Sequence, residues 1–234
     1  MHLTGEALEM QSRIVLCFCL LSATLPAQQQ NSENDRKTAL WFDQEISAAL
    51  APGRSLVFEF RQRLNNGETN PFAYSFQAGV AFVARPWLTV IPSYRYRRHP
   101  GSSTAHENRL LLNLTLSKSF GRWQPQLRTI TEGRFQENRV ASARFRLRPG
   151  IDYHLPIRWP RPPVAIVNNE FFLVPDANRS GSGSSFSQNR FQVGIRFAIA
   201  DSCSVCPYFL VRSAHNPAGW DTNRVFGLSI AFSF

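Results

Sequence analysis

Lysine is almost missing from this sequence. Of 26 basic residues, only Lys37 and Lys118 are lysine; every other one is arginine. A solvated basic surface usually mixes the two. Arginine is favoured where a planar fork must pair with carboxylates or phosphates. The formal charge of +10 therefore points to organised internal pairing, or to anionic partners, more than to simple solubility.

Cysteine is scarce as well, at four residues. Cys17 and Cys19 lie in an apolar N-terminal run with Leu16 and Phe18 before them, so no lipobox is present and no lipid anchor is expected. The remaining pair, Cys203 and Cys206 in DSCSVCP, cannot complete a structural zinc site alone. No βαβ pattern surrounds them to make a thioredoxin-like motif. In an exported chain the expectation is a small disulfide stapling a turn, with free thiols or a metal as the alternatives.

Other absences narrow the function. After the leader, no segment approaches the roughly 18 continuous apolar residues of a membrane-crossing helix. There is no helical period, heptad or domain-scale repeat. No G-x-S-x-G, H-E-x-x-H, P-loop or glycine-rich nucleotide signature occurs, so no enzyme, cofactor or metal site is expected. The arginines alternate with apolar residues and form no basic arm, which argues against nucleic acid.

The N-terminus has the form of an export signal. Arg13 is followed by IVLCFCLLSATLPA and then the polar QQQNSENDRK, which places a cleavage after Ala27, although Leu25 is large for its position. Met10 is an alternative start. The expected organisation is a signal peptide over 1–27, a short polar segment over 28–38 and one β domain over 39–234, directed to the bacterial outer membrane.

What the mature chain does contain is a period of two. Leu56, Phe58, Phe60 and Leu64 alternate with Val57, Glu59, Arg61 and Arg63. Leu110, Leu112, Leu114 and Leu116 oppose Glu107, Arg109, Asn113 and Thr115. Phe191, Val193, Ile195, Phe197 and Ile199 face away from Arg190, Gln192, Gly194 and Arg196. Such alternation marks strands with one apolar face. Turn signals separate them at 51–53, 65–71, 84–86, 99–106, 118–122, 155–163, 175–187 and 215–219. Eleven segments result, beginning near 40, 54, 72, 87, 107, 123, 139, 163, 188, 206 and 223. Bacterial single-chain barrels have even strand numbers, so twelve strands are expected, with ten the alternative.

Alternation alone does not say which face is inside. Segments of about 9–13 residues suit a tilted membrane crossing better than a soluble strand. Trp41, Phe72, Trp87, Tyr96, Trp123, Tyr153, Phe171, Tyr208 and Trp220 sit near segment ends, where an interfacial girdle would place them. With the export signal, these features predict an antiparallel up-and-down transmembrane β-barrel. Membrane lipid would lie outside it and a polar lumen within.

Phe226, Leu228, Ile230, Phe232 and Phe234 form a comb with Gly227, Ser229, Ala231 and Ser233 between. The comb is similar to the closing-strand signature of outer-membrane barrels, which the barrel-assembly machinery reads. The segments around 65–71, 99–106 and 175–187 then fall on the cell-surface side, and 51–53 and 84–86 on the periplasmic side. The turn near 135–138 and the long 155–163 fit that asymmetry less well.

The expected lumen face carries carboxylates at Asp43, Glu45, Glu59, Glu107, Glu132, Asp152 and Glu170. Its arginines are Arg61, Arg63, Arg95, Arg97, Arg109 and Arg128, followed by Arg134, Arg144, Arg146, Arg148, Arg190 and Arg196. Mixed signs at this spacing allow ladders across neighbouring strands. Two functions follow. The arginine excess would make a narrow channel for small anionic solutes; alternatively, the ladders hold the barrel shut and the outer loops mediate adhesion or assembly. A lipid-modifying enzyme, using His99 and His106 with Ser102 and Ser103, is the weaker third option because it rests on composition alone.

WFDQEISAAL, FEFRQR, HENRLLLNL, ARFRLRPGIDYHLP, NNEFF and FSQNRFQVGI together resemble the bacterial outer-membrane barrel family catalogued as domain of unknown function 2490. The resemblance spans about 40–234. It implies a barrel with Arg/Glu pairs inside, at Arg61, Glu107, Arg109, Arg128, Glu132, Arg144, Arg146, Glu170 and Arg190. It supplies no catalytic residues.

Overall fold

The computed structural model describes residues 38–65, 73–99, 106–137, 139–175, 186–216 and 219–234. The expected signal peptide, the polar 28–37, Ser102, Ser103 and most of three long connections lie outside the described residues. The strands are β1 Thr38–Ala51, β2 Arg54–Asn65, β3 Ala73–Arg85 and β4 Leu88–Arg98. They continue with β5 His106–Ser117, β6 Trp123–Gln136, β7 Ser142–His154 and β8 Val164–Leu173. Last come β9 Phe186–Ala200, β10 Cys203–Asn216 and β11 Gly219–Ser233.

Each strand pairs antiparallel with its sequence neighbour, and the sheet closes on itself as a barrel. Closure joins β1 to β11 in parallel, in a continuous register from Thr38↔Arg224 to Ser47↔Ser233. Eleven strands therefore stand in the described wall, where the even-number rule pointed to twelve. An odd count makes the first and last strands run the same way, so the seam has to be parallel. The seam continues past the last pair, with Phe234 N–H donating to Ser47 O at 2.9 Å and Ala49 N–H to Phe234 O at 2.8 Å. No open sheet edge remains among these strands.

The two ends of the barrel differ. At one end β1–β2, β3–β4 and β9–β10 are joined by two-residue connections. Gly53, at φ 72°, supplies the left-handed residue of the first of these, and its carbonyl accepts Val83 N–H at 2.8 Å. The β5–β6 connection at this end is closed by the Phe120–Trp123 bridge. The longer 155–163 lies here too, held by Leu155 N–H to Pro163 O at 3.0 Å and by Arg161 to Asp201 at 2.7 Å. The connections after β2, β4 and β8 reach the opposite end, as does the shorter one after β6.

Alternation sorts the side chains. Leu110, Leu112, Leu114, Phe191, Ile195 and Phe226 are exposed on the outside. Arg109 and Asn113, which adjoin these leucines in sequence, are buried inside, as are Glu107, Glu132, Arg146 and Glu170. An apolar outer wall around a charged core is the reverse of a soluble barrel, and the arrangement follows from the two-residue period of the strand.

Candidate functional site: an arginine-lined interior

Two arcs of ion pairs cross the interior. In the first, Glu132 on β6 is 0% exposed and receives three guanidinium groups: Arg144 at 2.5 Å, Arg146 at 2.7 Å and Arg109 at 3.4 Å. Glu107 on β5 binds Arg109 and Arg134, both at 2.6 Å. Arg146 bridges onward to Glu170 on β8 at 2.5 Å, and Arg190 on β9 reaches Glu170 at 3.6 Å. Each carboxylate meets at least two arginines, which is what a charge removed from water requires.

In the second arc, Asp43 on β1 binds Arg63 at 2.7 Å and Arg61 at 3.7 Å. Glu59 on β2 pairs with Arg61 and lies 3.7 Å from Arg95. Arg95 Nε donates to Gln77 Oε1 at 2.9 Å. Stacking connects the arcs. Trp41, 8% exposed, lies between Arg63, 4.2 Å from its ring centroid, and Arg190, 5.0 Å away. Phe172 receives Arg190 at 4.6 Å, Arg146 at 4.8 Å and Arg144 at 5.1 Å. Guanidinium groups over aromatic faces are stabilised when desolvated. Together the arcs form a belt around the interior.

The belt residues Glu59, Arg61, Arg63, Arg146, Glu170 and Arg190 also line a cavity of about 420 Å³, which extends to Glu45, Gln126, Arg128, Arg148, Asn168 and Arg196. Arg196 pairs with Asp152 at 3.2 Å. Arg128 and Arg148 face each other directly across β6–β7. Arg128 donates to Asn113 Oδ1 at 3.4 Å, and its buried Nε has no hydrogen-bond partner.

The residues singled out in the sequence fall into two overlapping groups, since Glu59, Arg61, Arg63, Arg146, Glu170 and Arg190 belong to the belt and line the cavity as well. Glu59, Arg61, Arg63, Arg95, Glu107, Arg109, Glu132, Arg144, Arg146, Glu170 and Arg190 meet in the belt. Glu45, Arg128, Arg148 and Arg196 line the cavity. Phe226, Leu228, Ile230, Phe232 and Phe234 alternate with Ser229 and Ala231, which line the interior, so the comb faces outward.

The expected disulfide does not form. Cys203 and Cys206 both lie within β10 and not in a turn, and they are not bonded to each other. Cys206 lines the cavity and pairs across the sheet with Ser229, whereas Cys203 pairs with Phe232 on the outer face. Three residues along a strand span about 10 Å and reverse the side-chain direction, beyond a disulfide's reach.

The aromatic girdle needs a second correction. Trp87, Trp123 and Trp220 are about half exposed on the outside, but Trp41 and Tyr208 point inward. Tyr208 donates its hydroxyl to Asp43 at 2.6 Å. Gln77, Trp41, Phe172 and Tyr208 are the belt members that charge patterning overlooked. An aromatic residue in register with inward carboxylates was the available signal. His106 bonds Tyr96 at 2.5 Å. His99 lies just beyond β4, where burial and then the adjacent Arg97 push its imidazole down to about 4.

A closed, mostly antiparallel sheet with an arginine-rich interior and an apolar exterior is a porin-like β-barrel. A solved NanC porin has the same architecture, with a TM-score of 0.50 over 81% of this chain and 91% of that one at 9% identity. The family model for a protein of unknown function, DUF2490, matches residues 38–223, and the chain belongs to that family. No curated protein matches the sequence.

Proposed function

We propose that this protein is an exported outer-membrane barrel whose narrow, arginine-lined interior admits small anionic solutes. Strands of 10–15 residues are long enough to cross a bilayer when tilted. The apolar outer face would meet lipid, and the comb on β11 would serve recognition by the barrel-assembly machinery. The short turns would lie on the periplasmic side.

The observation that carries the solute class is the sign of the interior. Arginines outnumber carboxylates there, and Arg128 and Arg148 have no salt-bridged carboxylate among the described residues. Net positive potential in a low-dielectric enclosure concentrates anions. The test is single-channel recording of the refolded mature protein across a salt gradient, where anion-selective steps are expected.

A second reading has its own support. The belt buries Glu107, Arg109, Glu132, Arg146 and Glu170 almost completely. A lumen sealed at that level would make the protein a structural barrel whose loops bind partners. A folded barrel that stays electrically silent selects this reading over the first.

A further inference from the structure

Opposed arginines recur in the interior, at Arg95–Arg109, Arg109–Arg134, Arg190–Arg212 and Arg128–Arg148. Arg109 faces Arg95 across β4–β5 and Arg134 across β5–β6. Glu59 reaches Arg95, and Glu107 binds both Arg109 and Arg134. The Arg128–Arg148 pair forms no salt bridge with a described carboxylate, although Glu45, Glu59 and Glu170 line the same cavity. The two residues are direct cross-strand partners, with Cβ atoms about 4.5–5.5 Å apart, a placement that is unfavourable for like charges. Both line the cavity, and Arg128 Nε is buried without an acceptor. An unsatisfied buried donor is costly, and an anion between the two guanidinium groups removes both penalties.

The opposite wall adds a second contact. In the ring of strands β1 lies across from β6 and β7. Its Glu45 lines the same cavity and forms no salt bridge with a described residue. The carboxyl oxygens of Glu45 accept hydrogen bonds. A volume of about 420 Å³ falls within the range of small-molecule pockets.

We propose that the cavity is a two-point binding site for a small organic acid carrying a hydroxyl or amino group. Its oxyanion sits between Arg128 and Arg148, and its O–H or N–H donors face Glu45. The site rests on the anionic-solute reading of the interior, but it does not require conduction.

The experiment is calorimetric titration of the refolded mature barrel with lactate and with propionate, which share a carbon chain and a charge and differ by one hydroxyl. Lactate is expected to bind several-fold more tightly than propionate. Arg128→Gln and Arg148→Gln should each weaken lactate binding by at least about tenfold, the value of a lost charge-assisted hydrogen bond. Glu45→Ala should erase the difference between the acids while leaving propionate binding in place. Arg161→Gln, outside the cavity, should change nothing. Removing one of two opposed arginines relieves repulsion, so these variants should fold, and the heat-dependent gel shift of a closed barrel verifies it.

Absence of lactate binding to a folded wild-type barrel overturns the proposal, as does binding that both arginine variants leave intact. Equal binding of the two acids overturns its two-point form. Anion-selective conduction without binding removes this site and leaves the proposed function standing; binding by a silent barrel does the reverse.

Discussion

Tyr208 on β10 reaches over β11 to donate its hydroxyl to Asp43 on β1, at 2.6 Å. The ring crosses Gly227, where an added Cβ would come within 2.0–2.5 Å of its carbon atoms. The contact clasps the parallel seam, because its two residues stand on either side of the strand that closes the barrel. Glycine at 227 is a condition for the clasp, and Asp43 in turn anchors Arg61 and Arg63.

Gly227→Ala is therefore expected to displace Tyr208 and lower stability more than Tyr208→Phe does. The latter loses one hydrogen bond to a charged acceptor, about 1.5–3 kcal/mol. Urea unfolding of the refolded barrel, followed by tryptophan fluorescence, ranks the two. Equal midpoints for Gly227→Ala and wild type would remove the clasp from the account.

Glu132 is the carboxylate that three arginines share. Glu132→Gln leaves those cations without their common counter-charge, and a loss of about 3–5 kcal/mol is expected for breaking a buried pair from one side. Glu45 forms no salt bridge with a described residue, so Glu45→Gln should shift the unfolding midpoint far less. The contrast between the two variants is the readout.

Cys203 and Cys206 should both alkylate in the unfolded, unreduced mature protein. Each modification adds a defined mass, so intact-mass spectrometry reads the outcome directly. A protein that accepts alkylation only after reduction would contradict the placement of the two residues on opposite faces of β10.

Much of this architecture was legible in residue order, because a strand buries every second side chain. Eleven alternating segments could be counted, and the inward set from Glu59 to Arg196 could be read from its polarity. The count conflicted with the even-number rule, since nothing in a single strand's pattern reveals that β1 and β11 meet in parallel. Register was equally hidden. Glu132 and Arg146 lie 14 positions apart, and their contact depends on the pairing offset between β6 and β7. Trp41 and Tyr208 were misread for a related reason. Aromatics near a strand end suit a membrane interface, yet both occupy inward positions, where Arg63, Arg190 and Asp43 supply partners.

Charge reversal at the Arg128–Arg148 pair contrasts with charge reversal at a salt-bridged belt arginine. Arg128→Glu and Arg148→Glu should each shift the reversal potential toward cations with the fold retained, since neither residue forms a salt bridge with a described belt carboxylate. Arg146→Glu should instead prevent stable folding, because it confronts both Glu132 and Glu170. Planar-bilayer recording and the gel shift of the folded form distinguish these outcomes.

The most direct measurement of the central claim is the reversal potential of the refolded wild-type barrel in a planar bilayer under a salt gradient. An arginine-lined path predicts discrete steps with a reversal potential on the anion side, moving toward cations in Arg128→Glu. Steps that favour cations in the wild-type protein would contradict it.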